Sequence, residues 1–276
     1  MIRKFTLSIL FTFLVATSAG AHQILLIGSD SRENDKRGNA DVIMIITVKD
    51  NEVKLTSILR DTYVYIKGYG NQKLNAAYKL GGRDLLVSTI NANFKTNLSS
   101  TIVTDFKKTA AVIDKFGGIM LNIDNGIYPY VNGYILEQAN MKGVPLLPLT
   151  KSGEVRLTGD QAVAYARVRV VGTKYDDPAR VERQKEVTKA MLNFAINHKA
   201  VAFKNFYQLW SLVDTDISMN VFWKICKTFI SKPKIPKSQV FPATNGFTNE
   251  RIENVGLVLK VNNFRKASKT LNSLIK

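Results

Sequence analysis

The segment VIMIITVKDNEVKLTSIL, residues 42–59, limits the possible folds more than any other stretch. Two runs rich in β-branched residues, Val42 to Val48 and Val53 to Leu59, flank Asp50-Asn51, a tight-turn dipeptide, and so predict a β-hairpin. A third strand-like run, Gln23 to Ile27, precedes them. Helical patterns follow at Asn75 to Leu80 and at Gly82 to Phe94, the latter with Leu85, Leu86, Ile90 and Phe94 at helical spacing. The block TIVTDFKKTAAVIDKFGG predicts a strand, a helix from about Phe106 and a stop at Gly117-Gly118, and IMLNID predicts a further strand. Residues 126–153, with Pro129, Pro145 and Pro148, read as irregular. Thr158 with Gln161 forms a capping box ahead of AVAYA, and Asp177-Pro178 supplies an N-cap and a first helical residue. One or two more helices and a late strand, GLVLKV, complete the chain. This mixture predicts an α/β fold: a single domain over residues 22–276 with a central mixed sheet flanked by helices, an α/β/α sandwich.

The 276 residues are 45% hydrophobic, enough for a substantial core. Lys and Arg number 39 against 22 Asp and Glu, a formal charge of +17. That balance suits an anionic partner, whether nucleic acid, phospholipid head group, phosphorylated polymer or pyrophosphate, and equally suits a solubilising surface. Cys226 is the single cysteine, so an internal disulfide and a cysteine-based metal site are excluded. His22 and His198, the two histidines, stand outside any motif, which argues against Ser-His-Asp or Cys-His chemistry. Carboxylates and arginines are left to act. At the N-terminus, Arg3 and Lys4 precede an apolar run from Phe5 to Val15 and then Ala19-Gly20-Ala21. This reads as a signal peptide or short membrane anchor over residues 1–21, and in either case predicts export to a bacterial envelope.

The hairpin places the acids. If Lys49 faces Glu52 across the turn, facing residue numbers sum to 101 and Asp41 faces Arg60. With the first strand antiparallel beside it, Asp30 arrives at the same edge, so Asp30, Arg32, Asp41, Arg60 and Asp61 collect at one rim. A one-residue slip would alter side-chain facing but not that clustering. Two nearby carboxylates repel unless a proton or cation intervenes, and Mg²⁺ accepts one or two carboxylates while keeping positions for phosphate oxygens. A cross-strand Asp41–Arg60 ion pair with Asp30 capping a turn satisfies the same pattern. The second cluster is YARVRVVGTKYDDPARVERQ, where Arg167, Arg169, Arg180, Arg183 and Gln184 fall within eighteen residues. Several arginine forks together suit a pyrophosphate. Dipole complementation at a helix C-terminus and surface pairing with Glu182 or Glu186 are the simpler alternatives.

GSDSR, the NADV strand start, SILRDTYV, KLNAAYKLGG, VTDFKKTAAVIDKFGGIMLNID, LTGDQAVAYARVR and DPARVERQ, in this order and spacing, resemble the successive motifs of the LytR-CpsA-Psr family. The resemblance extends from about Gln23 onward, with VDTDIS and the final strand as further counterparts. Leu59 stands where the family usually has proline. The resemblance implies an envelope phosphotransferase that moves a glycopolymer from a polyprenyl-pyrophosphate carrier onto a peptidoglycan acceptor at the membrane surface, attaching teichoic acid or capsule. It implies Mg²⁺, with Mn²⁺ as the alternative ion, on Asp30 and Asp41. It further implies a pyrophosphate grip by Arg60, Arg167, Arg169, Arg180 and Gln184, with Arg32 and Arg183 nearby, and a polyprenyl tail in an apolar tunnel between sheet and helices. Arg60, Arg167 and Arg169 would act on the transferring group; Asp177 and Asp61 are the candidate bases, the first equally explained as a helix cap and the second as an ion-pair partner. Two other readings share these residues: a lipid-pyrophosphate hydrolase, and a non-catalytic envelope binder or regulator of anionic polymer. Export and the lack of a helix-turn-helix or aromatic-basic signature argue against nucleic acid.

Overall fold

A computed structural model describes residues 21–30, 37–49, 52–223 and 237–276. The leader, Arg32, the Asp50-Asn51 turn and Cys226 lie outside the described residues.

The expected hairpin is β2 (Ala40–Lys49) and β3 (Glu52–Ile58), with Lys49 facing Glu52. β1 (His22–Ser29) pairs antiparallel with β2 and parallel with β6 (Ser100–Asp105). Edge strands β10 (Lys237–Phe241), beside β3, and β9 (Asp214–Thr215), beside β6, complete a six-stranded mixed sheet ordered β10-β3-β2-β1-β6-β9. Alternate residues of its strands enter two separate cores. Leu25, Ile27, Ile43 and Ile45 pack under α1 (Ala76–Phe94) and α8 (Phe264–Leu274), where Phe94 meets Phe241 edge-to-face at 5.0 Å. Ile24, Met44 and Leu55 face Leu192 of α5 (Asp177–Asn197) and Trp210 of α7 (Phe206–Leu212), with α6 (Lys199–Lys204) between those helices. Each fully buried Leu or Ile contributes about 1.5–3 kcal/mol. Helices therefore cover both faces, and the α/β/α arrangement is observed.

A second sheet, β11-β12-β4-β5, is built from β4 (Thr62–Ile66), β5 (Gly70–Lys73), β11 (Phe247–Ile252) and β12 (Gly256–Val261). Its Val64 and Ile66 are buried in the α1 core. A third core joins α2 (Phe106–Lys115), the ribbon β7 (Ile119–Ile123) with β8 (Gly153–Leu157), α3 (Tyr128–Lys142) and α4 (Gly159–Arg167).

Three sequence expectations need comment. The two helical patterns before Phe94 are present as two helical segments of α1, joined by a kink where Gly81 and Gly82 are non-helical. Residues 126–153 are not irregular, because α3 occupies much of them. Pro129 lies in its first turn, where no N–H is needed, and Gly143 ends it in the left-handed conformation, so residues read as breakers are boundaries. Finally, α5 opens one residue early: Arg180 N–H bonds the Asp176 carbonyl, and the Asp176 carboxylate accepts from Gly172 N–H. The capping box of α4 is present, Thr158 N–H donating to Gln161 Oε1 at 2.9 Å. Gly159 lets α4 close on α2, since a Cβ there would lie 2.1 Å from the Ala110 carbonyl oxygen. Among the described residues no helix is long and apolar enough to cross a membrane.

Candidate functional site

The rim begins with a register slip. Gly28 faces Val42 and Ser29 faces Ala40, which leaves Asp41 as the extra residue of a bulge in β2. Bulges re-aim side chains, and here the Asp41 carboxylate accepts from Arg60 Nη1 at 2.5 Å. The approach is tight, because a Cβ on Gly28 would sit 2.8 Å from Val42 Cβ. Arg60 Nε lies 3.4 Å from Asp61, whose other oxygen is 2.9 Å from Lys73 Nζ. Asp30 directly follows β1, its N–H donating to Asn39 O, while Asn75 at the head of α1 bonds the backbones of both Ala40 and Arg60. Asp41, Arg60 and Asp61 thus form one chain of charges, with Asp30 beside it at the end of β1.

Under this rim lies a cavity of about 350 Å³ between the sheet and the α2, α4, α5 and α7 side. Ile24, Leu26, Ile46 and Val48 form its floor, and Val187, Met191, Leu192 and Ala195 of α5 its roof. Polar groups gather at one end, where Ser29, Asp41, Thr104 and Asp105 line the wall at the carboxyl ends of β1 and β6. The α5 stripe continues upward through Gln184, which also lines the cavity, to Arg180 one turn before it.

The arginines of the α4–α5 segment are held by separate means. The Arg167 guanidinium lies over the rings of Phe106, at 5.0 Å, and Tyr134, at 5.6 Å, and donates to Glu137 at 3.0 Å. Phe106 itself lines the polar end of the cavity, so Arg167 stands beside that end. Arg169 Nε donates to Asp176 at 3.2 Å, and its backbone N–H donates to the Tyr134 hydroxyl. Arg183 differs: it is buried and donates to the carbonyls of Val168 and Tyr175. Burial lowers its pKa from the ordinary arginine value. Its place is beneath the loop that carries Arg169, as a buttress. Tyr165 donates to Glu186 at 2.5 Å, and burial first, then that bond, raises its pKa and keeps the phenol protonated. Asp177 is the first residue of α5. Its side chain, like Arg32, lies outside the described residues.

Sequence reasoning missed Tyr134 and Glu137 because α3 was read as loop, and missed Phe106 because the start of α2 gives no sign that Arg167 lies over its ring. The i, i+4, i+7 spacing of Val131, Ile135 and Gln138, all buried, was the available signal. Lys73 and Asp105 were missed as well. Asp105 reads locally as the N-cap of α2, which it is, its carboxylate accepting from Lys108 N–H at 2.7 Å.

The α/β/α fold thus carries an apolar cavity that ends at a charged rim. The chain belongs to the LytR-CpsA-Psr family, whose model, described as LytR_cpsA_psr family, matches residues 4–272. A polyisoprenyl-teichoic acid–peptidoglycan teichoic acid transferase, TagU of Bacillus mycoides, is 34% identical over 172 residues, 61% of this chain and 51% of that protein. The chain thus aligns with about half the length of that relative. Regulatory protein MsrR of Staphylococcus aureus is 28% identical over 250 residues, 88% of this chain and 71% of that one. Among solved structures, YwtF (TagT) with bound octaprenyl pyrophosphate lipid has a TM-score of 0.66 at 22% identity, covering 92% of this chain and 90% of that one, which establishes the shared fold.

Proposed function

We propose that this protein transfers a phosphate-linked glycopolymer from a polyprenyl-pyrophosphate carrier to a peptidoglycan sugar at the outer face of a bacterial membrane. The observation that carries this reading is the joining of an apolar cavity to the Asp41–Arg60–Asp61 chain at one end. An isoprenoid tail fits the apolar part, and a pyrophosphate fits the rim. The names of TagU and of the lipid-bound TagT structure support the same substrate class.

The chemistry follows from what the side chains offer. Arg60, Arg167, Arg169 and Arg180 would grip the pyrophosphate oxygens with Gln184, and Arg183 would hold their loop in place. Asp30 and Asp41 would hold Mg²⁺. Among the described residues no group of three or more His, Cys, Asp or Glu is placed to hold a metal ion on its own. Two carboxylates completed by phosphate oxygens and water suit Mg²⁺ and suit an all-protein calcium or zinc cage poorly. The bound ion would add charge neutralisation on the phosphate. A sugar hydroxyl attacks the phosphorus that bears the polymer, the P–O bond to polyprenyl phosphate breaks, and the hydroxyl proton passes to a carboxylate, for which we assign Asp177. Asp61 is engaged by Arg60 and Lys73, so its work is to order cations. Positioning and charge neutralisation are most of what phosphoryl transfer asks of a protein.

The test is a transfer assay with a polyprenyl-pyrophosphoryl oligosaccharide, Mg²⁺ and peptidoglycan fragments, read by mass spectrometry. A phosphodiester conjugate that is lost in Arg167→Ala is the expected product. Free sugar phosphate without conjugate would replace transfer by hydrolysis, and bound but unreacted lipid would make this a binding protein.

A further inference from the structure

The β4–β5 ribbon turns an aromatic face outward. Val64 and Ile66 point into the α1 core, so Tyr63 and Tyr65 point away from it, and Tyr65 is 58% exposed. Cross-strand pairing sets Lys73 opposite Tyr63 and Asn71 opposite Tyr65, while Lys260 of β12 pairs with Tyr63 on its other side. Facing partners share a side of the sheet, so phenol rings, an amide and two ammonium groups form one surface. The ring carrier is rigid: Asn93 of α1 accepts from Tyr65 N–H at 3.2 Å and donates to Tyr65 O at 2.9 Å. An open aromatic flanked by amide and charged groups suits a pyranose, whose C–H face stacks on the ring while its hydroxyls meet the polar neighbours.

This surface is continuous with the rim. Lys73 is bonded to Asp61, Asp61 lies beside Arg60, and Arg60 is bonded to Asp41 at the cavity. The small sheet stands on the α1 side of the main sheet, and the cavity lies on the opposite, α5 side. In a phosphoryl transfer the attacking and leaving oxygens are roughly in line. If polyprenyl phosphate departs on the cavity side, the attacking sugar arrives from the side of the small sheet.

We propose that the outer face of the β4–β5 ribbon is the acceptor subsite, binding a β-1,4-linked N-acetylhexosamine strand by stacking on Tyr65 and Tyr63 and placing a sugar hydroxyl at the Asp61–Arg60 rim. The role as acceptor site rests on the transferase reading. The test titrates full-length protein with a β-1,4-linked N-acetylglucosamine tetramer by NMR, alongside separate polyprenyl-pyrophosphate binding and transfer assays. Tyr65→Ala should weaken tetramer binding about tenfold and raise the acceptor KM by a similar factor, with lipid binding unchanged. Tyr65→Trp, which keeps an aromatic face, should stay within about twofold of the parent. Wild-type tetramer binding retained in a Tyr63→Ala/Tyr65→Ala variant would overturn the proposal. So would transfer by a wild-type protein that does not bind the tetramer, and the transferase reading would survive that result. Tyrosine-dependent tetramer binding without any transfer would keep the saccharide surface and remove the transferase reading.

Discussion

The two charged clusters are built by different means. At the rim, Asp41 lies in β2 and Arg60 two residues past the end of β3, and continuing the hairpin register counted from the turn brings them together at 2.5 Å. In the α4–α5 segment, Arg167 and Arg169 owe their places to Tyr134, Glu137 and Phe106, which come from α3 and α2, far away in sequence. A sheet fixes positions through its own backbone, whereas a loop between helices needs outside partners. The rim should therefore tolerate changes in its surroundings and fail when its own members are replaced. The arginine loop should fail through its neighbours.

The largest expected effect comes from the rim itself. Asp41→Ala should lower transfer by about 10³-fold or more, with circular dichroism unchanged, since it removes both the Arg60 partner and a proposed ion ligand. Retained Mg²⁺-dependent activity in that variant would disprove the assignment. Next is a neighbour of the loop: Tyr134→Ala should cost about 10-fold to 10²-fold in kcat/KM, although the residue carries no charge and binds no phosphate in this scheme. If Tyr134→Ala matches the parent, the two clusters do not differ as described. A smaller, purely structural effect is expected from Gly159→Ala. The added methyl meets the Ala110 carbonyl and should cost about 1–3 kcal/mol in denaturant unfolding, without a selective loss of substrate affinity.

The smallest prediction concerns acid stability. Asp124 accepts from the Tyr175 hydroxyl at 2.8 Å and from Gly126 N–H at 2.9 Å, and the tyrosine bond first, then the backbone, holds its pKa below the usual carboxylate range. A depressed folded-state pKa gives stability that is present above the unfolded value and is lost as pH falls through the folded one. Asp124→Asn should therefore lower Tm slightly near neutrality, with the difference from the parent closing as pH falls through the folded-state value, so that the acid limb of a Tm-against-pH curve is flatter. An unaltered acid limb would show that this bond does not contribute.

How much was legible in the sequence follows the same division. The sheet hairpin, the Asp41–Arg60 meeting and the α4 capping box could be read because local rules set them: a turn dipeptide, a period of two and a three-residue cap spacing. The bulge at Asp41 could not, since it depends on how β1 approaches β2 past Gly28. The helix α3 was hidden by Pro129 and Gly143, which mark its ends and not its absence. The inward turn of Arg183 was equally hidden, because α5 offers adjacent arginines and only the carbonyls of Val168 and Tyr175 decide which one is buried.

The strand order also bears on how the chain reaches this state. β3 has β10 on its outer side, pairing Lys54 with Lys237, and α8 covers the same face of the sheet as α1. Until residues 237–276 join the fold, the hairpin keeps an unpaired apolar edge and the α1 core lacks a wall. Exposed edges of this kind recruit other chains. The same late pairing that completes the sheet leaves β3 open to pairing with other chains while the protein folds.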